Sequence, residues 1–230
     1  MTERRLGAAV TVVASLLLVT GCASAPAEPV PTPTWVDLTG YDPERDANGL
    51  SLLAPADART QILADAATAD TSMTATFRDA SGRVLDVAFT GSAQRFSAEV
   101  AVDGGTTSIV VDGARAAVIP SDAIAADAGL EAGAVACVAA TDALITRWYP
   151  LLDPAAFIAD ATADASGLGA PADDAIELLL GEDGTAGVLR ASTTGPALPF
   201  ELIRADEAGS VHAVFSGWGD AEPVALPAAC

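Results

Sequence analysis

From Thr71 onward, apolar and polar residues alternate with a period of two. Ala75 and Phe77 alternate with Thr74, Thr76 and Arg78, and Leu85, Val87 and Phe89 alternate with Asp86 and Ala88. Phe96, Ala98, Val100 and Val102 repeat the pattern around Ser97 and Glu99. Successive side chains on a strand point to opposite faces, so each run predicts a strand with one apolar face. Ser81-Gly82, Asp103-Gly104-Gly105 and Asp112-Gly113 read as turns between strands, and the runs from Ser108 to Val111 and from Ala114 to Ile119 continue the series. The stretch predicts an antiparallel meander.

Period-3.6 spacing flanks it. Ile62, Leu63, Ala66 and Ala67 form an apolar stripe that predicts a helix from Pro55 to Ala69, with Asp57 as its cap. After Pro120, the alanine-rich stretch from Ser121 to Tyr149 is expected to be partly helical, with Ile124, Leu130, Val135, Val138, Leu144 and Ile145 as its apolar face. Asp153-Pro154 opens a short helix through Phe157 and Ile158, aspartate capping and proline in the first turn. Residues 167–171 read as a loop. Strands resume with Ile176, Leu178 and Leu180, then Val188 to Arg190, and a last hairpin pairs Phe200 to Arg204 with Val211 to Phe215. The order helix, strands, helices, strands predicts an α+β domain whose sheet buries one face under the helices.

The N-terminus follows different rules. Arg4 and Arg5 precede an apolar run from Leu6 to Leu18, the length of a secretory leader and too short to span a bilayer. It ends in Leu18-Val19-Thr20-Gly21-Cys22, which resembles the lipobox of bacterial lipoproteins, where the cysteine thiol receives a diacylglyceryl group and becomes the first residue after cleavage. On that resemblance residues 1–21 are a signal peptide and Cys22 carries a lipid anchor on the outer face of the cytoplasmic membrane. The competing reading is an ordinary leader cut after Ala23 or Ala25. Residues 22–50 read as a disordered linker, Pro-rich from Ala23 to Thr34 and irregular beyond, in which Trp35, Val36, Leu38 and Tyr41 either pack on the domain or remain mobile. The domain is expected over 51–230.

Composition narrows the function classes. A net charge of -20 repels phosphate backbones, which argues against a nucleic-acid partner, and repels anionic headgroups, so an acyl anchor rather than a basic patch must hold the chain to a membrane. Hydrophobic residues make up 51% but aromatics only 5%, so the core is built from small side chains. With Cys22 assigned to lipid, Cys137 and Cys230 remain in a compartment where disulfides persist. They either bridge to each other or stand as a buried thiol and a frayed terminus.

Catalytic and metal chemistry finds few residues. The one histidine, His212, lies in a predicted strand, and no Gly-x-Ser-x-Gly elbow presents a serine to it, so it reads as a strand residue rather than a base. One histidine and dispersed cysteines do not make a zinc site, and the aspartate-rich turns lack the alternating oxygen ligands of a calcium loop. Gly167-Leu168-Gly169 follows no predicted strand and lacks the remaining features of a phosphate loop. No enzyme activity, cofactor or metal is expected.

Three stretches in order carry a resemblance: Val110 to Val118, Trp148 to Ile158, and Leu198-Pro199-Phe200 with Val214 to Gly219 and Pro223-Val224. Together they resemble the LppX/LprG-type lipoproteins of actinobacteria, which share the fold of LolA-like carriers; the insert from Ser121 to Ala140 departs from that pattern. The resemblance implies a curved antiparallel half-barrel sheet closed by helices over an apolar cavity for acyl chains. It implies a lipid or acyl-chain ligand at the cell envelope, with room for an envelope transporter of unspecified identity as partner. Leu85, Val87, Phe89, Phe96, Ala98, Val100 and Val102, on the apolar face of the meander, are the candidate cavity residues. The alternative is a tethered structural or partner-binding lipoprotein without a ligand.

Overall fold

A computed structural model describes residues 41–230. In chain order it contains helix α1 (Pro55–Ala66) and strands β1 (Thr71–Asp79), β2 (Val84–Ser92), β3 (Arg95–Val102), β4 (Gly105–Asp112) and β5 (Arg115–Ile119). Helix α2 (Asp122–Ala128), strand β6 (Ala136–Ala139), the single turns α3 (Ala143–Thr146) and α4 (Tyr149–Leu152) and helix α5 (Pro154–Ala161) follow. Strands β7 (Ala165–Leu168), β8 (Ala175–Leu180), β9 (Gly187–Ser192), β10 (Pro199–Asp206) and β11 (Gly209–Ser216) complete it. The expected leader over 1–21 and Cys22 lie outside the described residues.

All eleven strands form one sheet in the order β6-β5-β4-β3-β2-β1-β11-β10-β9-β8-β7, and every neighbouring pair is antiparallel. The α+β class expected from the sequence holds: an open antiparallel sheet with helices over its apolar face. Two consecutive meanders, β1–β6 and β7–β11, meet where β1 pairs with β11 in the register Met73↔Phe215, Ala75↔Ala213 and Phe77↔Val211.

The register stacks inward side chains into rows that run across the strands. One row reads Leu178, Leu189, Leu202, Ala213, Ala75, Val87, Val100 and Thr107, and every member is buried. The next contains Phe215, Met73, Phe89, Ala98, Ile109 and Val118, again all buried. Polar residues at the alternate positions face outward, so the period-two pattern of the sequence is the period of the core.

The helices cover these rows. Ala58, Ile62 and Ala66 of α1 and Phe157 and Ile158 of α5 are buried in the same cluster. Arg59 ties the two helices together, its Nε donating to Thr162 Oγ1 (3.1 Å) and its NH2 to the Ala159 carbonyl (2.6 Å). As expected, Asp153 caps α5, its carboxylate accepting from the Ala156 N–H at 3.1 Å. Two expectations on α1 need correction. It ends at Ala66 rather than Ala69, and Ala54 rather than Asp57 is its N-cap; Asp57 lies in the first turn, where its charge opposes the positive end of the helix dipole.

Further corrections concern the sheet edges and the N-terminal boundary. The stretch from Ser121 to Tyr149 is helical in α2, α3 and the first residue of α4; Ala136–Ala139 is edge strand β6, and Leu130 and Val135 are exposed rather than on a buried face. Residues 167–168, expected in a loop, belong to edge strand β7. The last residues of the expected linker are docked: Leu50 is buried, and the Asn48 side chain donates to the Ser192 and Gly195 carbonyls (3.0 and 3.2 Å). Thr193, fully buried, returns a hydrogen bond to the Arg45 carbonyl at 2.6 Å. The folded body therefore begins upstream of Ser51.

Cys137 and Cys230 form a disulfide across 93 residues, which resolves the two readings left open for them. It fastens the chain terminus to β6, and Arg115 of the adjoining strand donates to the Cys230 carbonyl at 3.3 Å. Loop-closure entropy assigns such a cross-link about 4 to 5 kcal/mol. Cys230→Ser is therefore expected to lower the melting temperature, and both thiols of the native protein should resist alkylation until reductant is added. Free alkylation of unreduced protein would contradict the bridge.

Candidate functional site

The sheet has two rims. The rim carrying the β2–β3, β4–β5 and β9–β10 connections holds the docked segment around Asn48. The other rim carries the β1–β2, β3–β4 and β10–β11 turns, and there the helical cover is incomplete. A crevice of about 740 Å³ opens on it between the end of β3, the start of β4, α2 and Trp148. Its apolar lining comes from Val100, Val102, Ile119, Ile124 and Trp148, and its polar lining includes Thr107, Ser121, Asp122, Asp127 and Arg147. The volume falls within the roughly 300 to 1,000 Å³ typical of small-molecule sites.

Local chemistry explains why this space stays open. Asp103 (φ 51°) and Gly104 (φ 80°) make the tight β3–β4 turn that the sequence signals, which ends both strands at the rim. Pro120 stops β5, and Ser121 then donates its N–H to the buried Thr107 hydroxyl (3.1 Å), so α2 starts directly beside β4. Gly105 permits that approach, since a Cβ on it would lie 3.1 Å from the Ser121 Cβ. At the lip, Arg83 grips Asp103 through Nε (3.0 Å) and NH2 (2.7 Å), and the hydrogen bond raises the guanidinium above its usual pKa. On the wall, Arg147 Nε donates to the Ala143 carbonyl at 3.0 Å, and the indole N–H of Trp148 is buried with no hydrogen-bond partner.

A second crevice, of about 420 Å³, opens on the same rim beneath α5. Phe77, Phe157 and Val211 form its apolar part, and the rings of Phe77 and Phe157 meet edge-on at 5.6 Å. Arg204 stands over it with both of its outer nitrogens on Asp164 (2.7 and 3.2 Å) and its Nε on Asp206 (3.1 Å). The Arg204 hydrogen bond holds the Asp164 carboxyl below the usual carboxylate range. Asp206 is lowered first by the Ala208 N–H and then by Arg204.

The seven candidate cavity residues divide between these surroundings. All share the inner face, as the alternation requires. Val100 and Val102 line the larger crevice. Leu85 is half-buried and stands between Phe77 and Val102 in register. Val87, Phe89, Phe96 and Ala98 lie in the buried interior, with the Phe89 and Phe96 rings 5.3 Å apart. Ile119, Ile124 and Trp148 were not among the candidates. Ile119 ends β5 in register with Ser108, off the inward row, and Ile124 and Trp148 reach the crevice only through the seating of the segment after β5, which no periodicity within the strands signals.

His212 lies on the outer face, as a strand residue, with its Nε2 3.0 Å from Glu201 Oε1. Glu201 also accepts from Arg190 (2.8 Å), which reaches on to Glu177, so the histidine ends a ladder of charges across four strands. Among the described residues there is no cluster of His, Cys, Asp and Glu able to hold a metal, and no helix long and apolar enough to cross a membrane.

Neither a family model nor a curated protein matches this chain. Among solved structures, the chain is similar to LprF from Mycobacterium bovis, at 13% identity and a TM-score of 0.42, over 81% of this chain and 97% of that one. At that level of superposition the description of the fold stands on the strand pairing itself.

The placement of Ala98 yields a stability test. It is 4% exposed, between Phe89 on β2 and Ile109 on β4, whereas Val102 faces open crevice. Ala98→Trp is expected to destabilise the fold by about 1 to 3 kcal/mol through overpacking, and Val102→Trp by much less. Denaturant unfolding of the two variants measures the difference, and equal losses would show that the rim is packed as tightly as the interior.

Proposed function

We propose that the chain is an extracytoplasmic lipoprotein, held to the outer face of the cytoplasmic membrane through a lipid on Cys22, that binds or carries lipids by their acyl chains. The observation that carries this reading is the crevice between sheet and α2, whose apolar part is supplied by Val100, Val102, Ile119, Ile124 and Trp148. A sheet whose apolar face lacks full helical cover at a rim offers a place where an alkyl chain can replace the missing cover. The disulfide supports the compartment, because such bridges persist outside the reducing cytoplasm. The lipobox-like sequence at 18–22 supports the anchor, and the net charge of -20 leaves no electrostatic route to an anionic membrane. The reading gives no residue a catalytic role.

A second reading, a tethered module that binds a protein partner, is favoured by one observation. Ile203 and Val214, on neighbouring strands of the outer face, are 41% and 42% exposed.

The deciding experiment starts from Cys22→Ala. In a native-like host this variant should lose metabolic palmitate labelling and move from the membrane to the aqueous fraction. Mass spectrometry of that soluble protein should then recover acyl lipids in stoichiometric amount. Surviving label would refute the anchor, and an empty protein would favour the second reading.

A further inference from the structure

We propose that the outer face of the sheet docks a basic protein partner, which sets an arginine between Asp86 and Glu99 and an apolar side chain on Val214 and Ile203. The proposal lies apart from the lipid reading, which concerns the inner face, and it rests on the partner-binding reading, to which it gives a place and a chemistry.

The register lays two rows of side chains across this face. One runs Val214, Thr74, Ala88, Glu99 and Ser108, the other His212, Thr76, Asp86, Ala101 and Thr106. Where β2 and β3 pair, Ala88 stands opposite Glu99 and Asp86 opposite Ala101, so two carboxylates occupy one diagonal of a square and two alanines the other. Diagonal positions lie roughly 7 Å apart, and the alanines leave the space between the carboxylates unfilled. A hollow of about 380 Å³ opens there, with Val214 and His212 at one end and Thr106 at the other.

These carboxylates differ from their neighbours in having no cation. On the same face Glu177 and Glu201 share Arg190, and at the turns Asp103 holds Arg83 and Asp112 holds Arg95. Asp86 accepts from the Thr76 hydroxyl at 2.6 Å, and among the described residues no ion pair reaches Asp86 or Glu99. Arg78, two residues along β1 from Thr76, turns its NH1 to the Gly82 carbonyl at 3.4 Å. A cation from outside completes the pairing, whereas phosphate backbones and anionic headgroups are repelled.

The apolar neighbours make the occupant a protein rather than a small cation. Ile203 and Val214 sit on adjoining strands beside the hollow and are 41% and 42% exposed. From Val214 to the middle of the β2–β3 square the strand spacing gives roughly 12 Å, which four residues of extended chain cover at about 3.3 Å each. A partner segment with an apolar residue and an arginine at that separation engages both features at once. Arginine suits the square better than lysine, because its planar fork presents five donors and can serve two carboxylates together.

The test uses the full chain carrying Cys22→Ala and a blocked five-residue peptide, leucine first, arginine last and serines between; its counterpart ends in glutamate. In an amide NMR titration the arginine peptide should shift Thr76, Ala88, Ala101 and Val214 together, and the glutamate peptide should not. Asp86→Asn with Glu99→Gln should weaken binding roughly five- to tenfold, as the loss of two exposed ion pairs. Glu207→Gln with Glu222→Gln, the same change of charge elsewhere, should leave it unaltered. Ala88→Phe, at an exposed position, should block the hollow without changing charge, and amide dispersion reports whether each variant is folded. Equal weakening by both charge pairs would reduce the effect to non-specific attraction and overturn the proposal. Shifts confined to Ile203 and Val214 would overturn the acidic hollow while keeping a partner on this face, and the same amides responding to phosphatidylglycerol vesicles would overturn the protein partner. Recovery of acyl lipid from the soluble protein is a separate measurement, on which none of these outcomes bears.

Discussion

The pairing of β1 with β11 is the contact on which the rest of the domain depends. Every other strand pair joins neighbours in sequence, which a turn or a short connection can bring together; this one joins Met73 to Phe215 across almost the whole domain. Loop closure over that separation carries a large entropic penalty and must be repaid by the contacts it creates. The repayment is the continuity of the inner rows, since Ala75 and Ala213, or Met73 and Phe215, complete an apolar face that neither meander has alone. The register is pinned at its end by Gly209, at φ 147°, where a Cβ would collide with the Arg78 carbonyl oxygen of β1. A slip by one residue would turn His212 and Val214 inward and Ala213 and Phe215 out to solvent.

Because the sheet remains open, its two edges and one rim have to be managed separately. Edge β7 packs against α1, and edge β6 is only four residues long and carries the disulfide to the chain terminus. Both are devices that keep a free edge from templating another strand. The rim between the β1–β2 and β10–β11 turns is covered by α5 alone, through Phe157 on Phe77. Small side chains, Ala75, Ala98 and Ala213, fill the middle rows, and α5 sets its aromatic residue, Phe157, against Phe77 and Phe215.

Much of this was legible in the sequence wherever a local rule and the tertiary contact agree. The strands from β1 to β5 and the hairpin of β10 and β11 alternate over enough residues for the period to be unambiguous, and Asp153-Pro154 marks α5 because capping is a local interaction. The failures have a common cause. Ala136–Ala139 offers four residues of which two are alanine, a composition that favours helix locally; pairing with Ala116, Ala117 and Val118 makes it a strand. Gly167 reads as a loop residue, but it lies at the register shift of β7, where a glycine tolerates the irregularity. The docking of Asn48 depends on carbonyls at Ser192 and Gly195, more than a hundred residues away, and nothing near Asn48 announces it.

The same distinction separates the inner-face residues from the site. Alternation assigned Leu85, Val87, Phe89, Phe96, Ala98, Val100 and Val102 to one face, but a face becomes core or groove only through what covers it. Position along the strand decides that: toward the middle of β2 and β3 the helices close over Val87, Phe89 and Ala98, and at the rim end they do not. The segment around Asn48 docks at the opposite rim, so the chain enters the domain on the side away from both crevices. The open rim is therefore clear of that segment. With so acidic a surface, long-range attraction cannot bring an anionic lipid to that rim. Recognition at an apolar surface of this kind rests on short-range burial, which is non-directional and scales with the apolar area removed from water.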